Sequence, residues 1–389
     1  MADLPGDGVA HLTSLVVLGA TGSIGRQTLD VAARLGYEVS ALAARRGSAA
    51  LFELAAAHPD ATIVVADPTT IGSVPHDVAP RLEAGGDAVA AIAASPDAIV
   101  VNGIVGSDGL APSLAAVGAG NRLALANKES LVAGGSLLLE AARAGGGVIV
   151  PIDSEHSALW QCLVGEPADS VARLVLTASG GPFRGKSRSD LLDVSVEDAL
   201  AHPTWDMGPR ITTDSATMMN KALEVIEAHH LFDLAYDQID VVVHPQSIVH
   251  SLVEFVDGSV KAQLGEPDMR VPIQYAITSP ERVEAQVAPL NLAGRSLTFE
   301  APDFDAFPCL GLGYEAGKRG GIAPATLNAA DEVAVAGFLD GRIGFLDIAD
   351  VVAECLSATP DLEPGAVDDV LTADSEARVR TREAIGRRG

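Results

Sequence analysis

At 389 residues the chain exceeds what one ordinary hydrophobic core supports, so two or three domains are expected. Its formal net charge of −26 creates a field that repels phosphate, which argues against nucleic-acid or anionic-membrane partners; any phosphate it binds must meet a local cationic pocket. Hydrophobic residues make up 48% and aromatic ones only 4%, so the cores are built from Ala, Val, Leu and Ile, and no uncharged apolar run approaches the roughly 18 residues of a spanning helix.

Cys162, Cys309 and Cys355 are odd in number and far apart, which suits neither a disulfide framework nor a zinc site and fits a reducing cytoplasm. Met1 to Thr13 contains Asp3 and Asp7 and no apolar stretch, so no signal peptide is expected. Lysine supplies only 5 of the 26 cationic side chains, so a lysine within a motif carries extra information.

In chain order, Leu15–Leu18 reads as a short strand, followed by the turn Gly19-Ala20-Thr21-Gly22-Ser23-Ile24-Gly25 and a helix from Arg26 to Leu35. A strand, a glycine-rich turn and a helix form a dinucleotide-binding arrangement, with the pyrophosphate on the helix N-terminus. The next strand, Tyr37–Ala43, ends in Ala44-Arg45-Arg46-Gly47 where an NAD site carries an acid. Two guanidiniums favour a 2′-phosphate, hence NADP; a solvated surface pair is the alternative.

Strands follow at Ile63–Ala66, Ala98–Val101, Arg122–Ala126 and Val148–Ile152, separated by Ala-rich helices. The alternation predicts an α/β fold whose N-terminal part is a Rossmann-like parallel sheet. Polar groups recur at the strands' carboxyl ends: Arg45 and Arg46, Asn102, Asn127-Lys128-Glu129, then Asp153 and Glu155. Lys128 could orient a substrate oxygen and Asn127 or Glu129 the nicotinamide ribose, although any one of the three could instead cap the helix beginning near Ser130. Asp153 and Glu155, expected in a loop after the last strand, can aim two carboxylates at one hard divalent cation; merely solvated acids are the alternative.

Beyond this point Leu174–Thr177 reads as a strand ending in Ser179-Gly180-Gly181, either an anion nest or an ordinary turn. The loop Ala201–Arg210 carries His202, Trp205, Met207 and Gly208; its Trp serves either as a lid that excludes water or as an anchor to the core. Asp214-Ser215 is expected to cap a helix from Ala216 to Phe232, on which Asn220 and Lys221 share a face with Glu224. Glu224 is then either a third carboxylate ligand or half of a surface ion pair.

The strings Gly-Ala-Thr-Gly-Ser-Ile-Gly at 19–25, Ala-Asn-Lys-Glu-Ser at 126–130 and Pro-Ile-Asp-Ser-Glu-His at 151–156 occur in one order with four others. Those are Ala-Ser-Gly-Gly-Pro-Phe at 178–183, Asp-Ser-Ala-Thr-Met-Met-Asn-Lys at 214–221, His-Pro-Gln-Ser at 244–247 and Leu-Gly-Glu-Pro-Asp-Met-Arg at 264–270. Together, over almost the whole chain, they resemble the 1-deoxy-D-xylulose 5-phosphate reductoisomerase family. The resemblance implies an oxidoreductase with isomerase activity in isoprene biosynthesis, which uses NADPH and Mg²⁺, Mn²⁺ or Co²⁺ to make 2-C-methyl-D-erythritol 4-phosphate.

The resemblance makes Asp153, Glu155 and Glu224 the metal ligands, and Ser154, Ser179, His202, Ser215, Asn220 and Lys221 substrate contacts, with Lys128 close by. Thr21, Gly22, Ser23 and Ile24 then meet the pyrophosphate, Asn127, Glu129 and Gly208 line the rest of the NADPH site, and Trp205 and Met207 sit on a flap. Arg45-Arg46-Gly47 departs from the family's frequent Gly-Lys-Asn while keeping cationic character. The chemistry implied is a retroaldol–aldol carbon shift followed by hydride transfer, with Lys128 and Glu155 managing protons.

Ser251–Val256 and Ser259–Leu264 alternate around Asp257-Gly258, a hairpin expected to pair in a homodimer, as in the family. Residues 280–308 read as a connection, Tyr314–Ser357 as helical, and Arg378, Arg380, Arg382, Arg387 and Arg388 as a basic helix end or tail. The expected organisation is an NADPH domain (1–152), a central α+β catalytic, metal and dimerisation domain (153–285), a linker (286–312) and a C-terminal helical domain (313–389). Two rival functions remain: another NADP-dependent dehydrogenase acting on a semialdehyde or sugar phosphate without carbon rearrangement, and a non-catalytic NADP-sensing dimer.

Overall fold

A computed structural model describes residues 14–205 and 207–388; the segment 1–13, read above as free of a signal peptide, lies outside them. The first half alternates as expected. It runs β1 (Ser14–Leu18), α1 (Ser23–Leu35), β2 (Glu38–Ala44), α2 (Ala49–Ala57), β3 (Thr62–Val65), β4 (Leu82–Ala84) and α3 (Gly86–Ala93). It continues with β5 (Ala98–Asn102), α4 (Leu110–Gly118), β6 (Arg122–Leu125), α5 (Lys128–Gly145) and β7 (Val148–Pro151).

These seven strands form one parallel sheet in the order β4-β3-β2-β1-β5-β6-β7. Every residue of β5 and β6 is buried, as a sheet covered on both faces requires. Strand order reverses between β1 and β5, which opens a crevice at their carboxyl ends. The glycine turn lies there. Gly19 has φ +77°, and a Cβ on it would stand 2.5 Å from the Gly103 carbonyl oxygen, so no other residue fits. Asn102 departs from the expected rim. It is fully buried, and its amide donates to the Gly109 carbonyl and the Ser113 hydroxyl, fastening the β5–α4 turn.

The central part comprises α6 (Ser154–Leu163), β8 (Val171–Ala178), α7 (Val196–Leu200), α8 (Pro209–Ala216) and α9 (Met219–Phe232). It continues through β9 (Ile239–Val243), β10 (Val249–Phe255), β11 (Val260–Leu264) and α10 (Arg270–Thr278). Its mixed sheet has the order β11-β10-β8-β9, with only β8 and β9 parallel. The β10–β11 hairpin turns where Asp257-Gly258 predicts, and Gly258 takes φ +82°.

Two local expectations are corrected. Asp153 is the N-cap of α6, so Glu155 sits on the first helical turn and not in a loop. Asp214 and Ser215 do not cap a single helix from 216 to 232. They end α8, the chain breaks at Met218 in a left-handed conformation (φ +64°), and α9 begins afresh.

Residues 280–308 hold no helix or named strand; one bridge, Glu300 to Val243, ties them down. The C-terminal helices are α11 (Cys309–Arg319), α12 (Ala323–Leu339), α13 (Asp347–Ser357) and α14 (Val367–Gly386), so 314–357 is three helices with breaks between. Nearly all of α12 is buried beneath α11, α13 and α14. Of the two readings of the basic run, the helix end is the one realised: α14 packs on the body, Arg378 pairs with Glu332 and Asp374, and Arg387 and Arg388 pair with Glu354. No helix among the described residues is long and apolar enough to cross a membrane.

Candidate functional site

The end of β7 aims α6 at α9, and two lysines join their acids. The Lys128 ammonium, at the start of α5, lies 2.5 Å from Asp153 Oδ2, 3.0 Å from Glu224 Oε1 and 2.8 Å from Asn220 Oδ1. Lys221 reaches Glu155 Oε1 at 3.1 Å and also pairs with Glu224 Oε2. Asn220 donates to Glu224 as well, so the helical spacing puts Asn220, Lys221 and Glu224 on one face as read. The surface-pair alternative fails, because Lys221 and Glu224 are buried.

Burial alone would lower the Lys128 pKa, but attraction to Asp153, Glu224 and Glu227 outweighs it and holds the ammonium charged. Desolvation pushes Asp153 upward, yet Lys128 and His156 hold it well below the usual carboxylate range. Glu224 is shifted upward, first by burial and then by repulsion from Asp153 and Glu155.

Asp153, His156 and Glu224 each offer a ligand atom within 4.8 Å of the others. Glu155, the third member of the sequence-derived trio, lies outside that group and is linked to it through Lys221. His156 is fully buried. Its Nε2 is 2.9 Å from the Glu224 carbonyl oxygen, which fixes the proton on Nε2, and Nδ1 faces Glu227 Oε2 at 3.4 Å. Sequence reading gave His156 and Glu227 no part, although each lies three positions beyond a chosen acid, on the same helical face.

The turn after β8 brings in the remaining polar contacts. Gly180 and Gly181 both take positive φ, and a Cβ on Gly181 would stand 2.8 Å from the Ser215 carbonyl oxygen. Gly181 therefore packs directly against the Ser215 backbone, and its amide donates to Ser179 Oγ at 3.2 Å. His202 Nδ1 accepts the amides of Thr204 and Trp205, so Nε2 carries the proton and meets Ser179 Oγ at 3.0 Å. Trp205, half-buried, lines a small cavity with Ser154, Gln161, His250, Gly265 and Pro272. Met207 is half-buried and Gly208 exposed as the N-cap of α8.

On the nucleotide side, Gly22 is the N-cap of α1 with no side-chain capping bond, and Gly22 and Ser23 are exposed beside half-buried Thr21 and Ile24. Arg45 and Arg46 are exposed past β2, and Gly47 donates to Thr70 Oγ1. The capping alternative for Asn127 is realised: its side chain accepts the Ser130 amide and donates to the Ile104 and Gly106 carbonyls. Glu129 accepts from the Gly106 amide, Asn127 and Arg210.

Three family models match in succession. They are 1-deoxy-D-xylulose 5-phosphate reductoisomerase at 15–135, its C-terminal domain at 149–232, and a DXP reductoisomerase C-terminal domain at 264–380. The 1-deoxy-D-xylulose 5-phosphate reductoisomerase of Xanthomonas campestris pv. campestris (strain B100) is 51% identical over 387 residues, covering 97% of this chain and 98% of the relative. That of Burkholderia multivorans is 49% identical, covering 96% of both. Among solved structures, the Zymomonas mobilis reductoisomerase in complex with NADPH superposes with a TM-score of 0.89 at 43% identity, covering 96% of this chain and 98% of that one. A DOX-P reductoisomerase with NADPH, fosmidomycin and magnesium gives 0.89 at 41% identity, with the same coverage. The chain belongs to the 1-deoxy-D-xylulose 5-phosphate reductoisomerase family.

Proposed function

We infer that this chain catalyses the NADPH- and divalent-metal-dependent isomerisation and reduction of 1-deoxy-D-xylulose 5-phosphate to 2-C-methyl-D-erythritol 4-phosphate. One observation carries the reading: the carboxylates of Asp153, Glu155 and Glu224 converge through Lys128 and Lys221 where α5 and α6 leave the parallel sheet. A charge-dense, oxygen-rich donor set suits a hard divalent cation, and Asp153 and Glu224 offer carboxylate oxygens within 4.8 Å of each other. Asp153, Glu155 and Glu224 would hold the ion, with His156 braced behind them. A bound cation would supply Lewis acidity toward adjacent ketone and hydroxyl oxygens, and NADPH the hydride.

The protein's own groups do the rest. Lys128, kept charged, polarises a substrate oxygen, while Glu155 and its neighbour Ser154, hydrogen-bonded at 2.6 Å, lie where protons must move. Ser179, Ser215, Asn220 and Lys221 anchor the phosphate, so that remote binding energy orients the reacting end. His202 fixes the Ser179 hydroxyl. Trp205 and Met207 form the flap that excludes water. Thr21, Gly22, Ser23 and Ile24 take the pyrophosphate, Arg45, Arg46 and Gly47 the 2′-phosphate, and Asn127, Glu129 and Gly208 the remaining cofactor wall.

The assembly proposed is a homodimer joined at β11, an edge strand whose first three residues are exposed, with Val256 and Val260 uncovered. Sedimentation should give twice the monomer mass; a monomer at assay concentration refutes it. The three cysteines are free and buried, in keeping with a cytoplasmic location. Domain limits at 152, 285 and 312 complete the proposal, and limited proteolysis checks them. The deciding assay follows NADPH consumption with 1-deoxy-D-xylulose 5-phosphate, with and without Mn²⁺, and identifies the product. Turnover that survives exhaustive chelation, or a product with an unbranched carbon chain, refutes it in favour of a simpler NADP-dependent dehydrogenase.

A further inference from the structure

Arg210 lies two residues past Gly208, where the flap loop becomes α8, and its guanidinium is the meeting point of three parts of the chain. Nη1 is 2.9 Å from Glu129 Oε1 on α5 and 3.2 Å from Glu332 Oε1 on α12. Nη2 donates to Asn328 Oδ1 at 3.1 Å and lies 3.8 Å from Asp331, while Nε is 3.6 Å from Asp214 of its own helix. Glu332 is held from its far side by Arg378 of α14 at 2.7 Å and bonded by Asn328. A Cβ at Gly106 would stand 2.8 Å from Glu332 Oε1, so α12 presses directly on the loop that also donates to Glu129.

We propose that Arg210 is a positioning residue for the cofactor cleft, through which the C-terminal helix α12 orients the Glu129 carboxylate. The inference rests on the cofactor assignment made above for Glu129 and Gly208. Glu129, Asp214, Asp331 and Glu332 surround one guanidinium, and Glu129 Oε1 is shared between Arg210 and the Gly106 amide. Without Arg210, Glu129 faces Glu332 and Asp214 across a half-buried space, and repulsion drives its carboxylate out of the position that the ribose hydroxyls need. The planar guanidinium reaches Glu129, Glu332 and Asn328 together; a lysine ammonium reaches fewer of them.

The test measures NADPH dissociation constants by equilibrium dialysis, alongside KM for 1-deoxy-D-xylulose 5-phosphate, in wild type, Arg210→Gln, Arg210→Lys and Glu332→Gln. Arg210→Gln should weaken NADPH binding by about tenfold or more, the scale on which partners of site residues act, while KM for the ketose phosphate stays within about twofold. Arg210→Lys should recover part of the loss, and Glu332→Gln, which touches no proposed cofactor atom, should weaken NADPH binding by about threefold. NADPH affinity within about twofold of wild type in Arg210→Gln overturns the inference, as does an equal rise in both constants, which marks general loss of structure. An unchanged constant in Glu332→Gln overturns the part assigned to α12. Wild-type protein that binds no NADPH overturns the functional reading and this inference with it, whereas the preceding outcomes overturn the inference alone.

Discussion

Glu224→Gln is the sharpest perturbation of the proposed metal centre. The replacement keeps shape and volume but removes one negative charge from a fully buried group that meets Lys128 Nζ at 3.0 Å and is paired with Lys221 and Asn220. At roughly 4 Å and an effective dielectric near 20, one unit charge pair is worth about 4 kcal/mol. Losing one of three ligand carboxylates should therefore weaken divalent-cation binding by about three powers of ten or more. The new amide also points an N–H at one lysine ammonium, so whichever of Lys128 and Lys221 meets it turns to its remaining acid, Asp153 or Glu155. Turnover, followed by NADPH consumption at saturating substrate over a Mn²⁺ titration, should nearly vanish. NADPH affinity should stay within a few-fold, because no cofactor contact is assigned to Glu224, and that constant doubles as the check on folding. A variant with near-normal turnover and an unshifted Mn²⁺ curve refutes the centre.

Lys128→Met leaves Asp153, Glu224 and Glu227 without their shared cation, so unfolding in chelator should show a loss of about 3–5 kcal/mol, part of which Mn²⁺ restores; an unchanged midpoint contradicts this. Gly181→Ala places a side chain at φ +64° and 2.8 Å from the Ser215 carbonyl oxygen, which costs about 1–3 kcal/mol. It should raise KM for the ketose phosphate without changing NADPH affinity, and equal effects on both would refute the anion nest. Asp331→Asn probes the acid pair behind Arg210. Burial raises Asp331 well above the usual range and moves Asp214 to about 6, so the folded protein binds more protons than the unfolded chain. Wild-type stability should thus fall as pH rises from about 4 through 6, and the variant should gain most over wild type on the alkaline side of that range. A gain that is larger in acid refutes the raised Asp331 pKa.

The nucleotide-binding half was legible because parallel strands buried on both faces read as unbroken apolar runs, as Ala98–Asn102 does. β4 was not, since Leu82-Glu83-Ala84 is a short, partly exposed edge with no pattern to find. β9 has a strand's composition, and nothing in its chemistry hid it. The break at Met218 carries no Gly or Pro; a left-handed methionine is imposed by packing, which local propensity does not encode. Asp153, Lys128 and Glu224 were visible as motif residues, yet that Lys128 bridges the two acids is a contact across 96 positions. Arg210 stood in a quoted loop, but its partners at separations of 81 and 118 depend wholly on the tertiary fold.

The five lysines divide cleanly. Lys128 and Lys221 are enclosed by acids, 6% and 3% exposed, while Lys186, Lys261 and Lys318 stand in solvent. Amine-directed reagents should therefore couple at the three outer positions and spare the buried pair, so the protein can be tethered or dye-labelled with Lys128 and Lys221 unmodified. Lys261 lies on the strand assigned to subunit pairing, and its rate of acylation, compared with that of Lys318, becomes a chemical gauge of how much of the protein is assembled at any dilution.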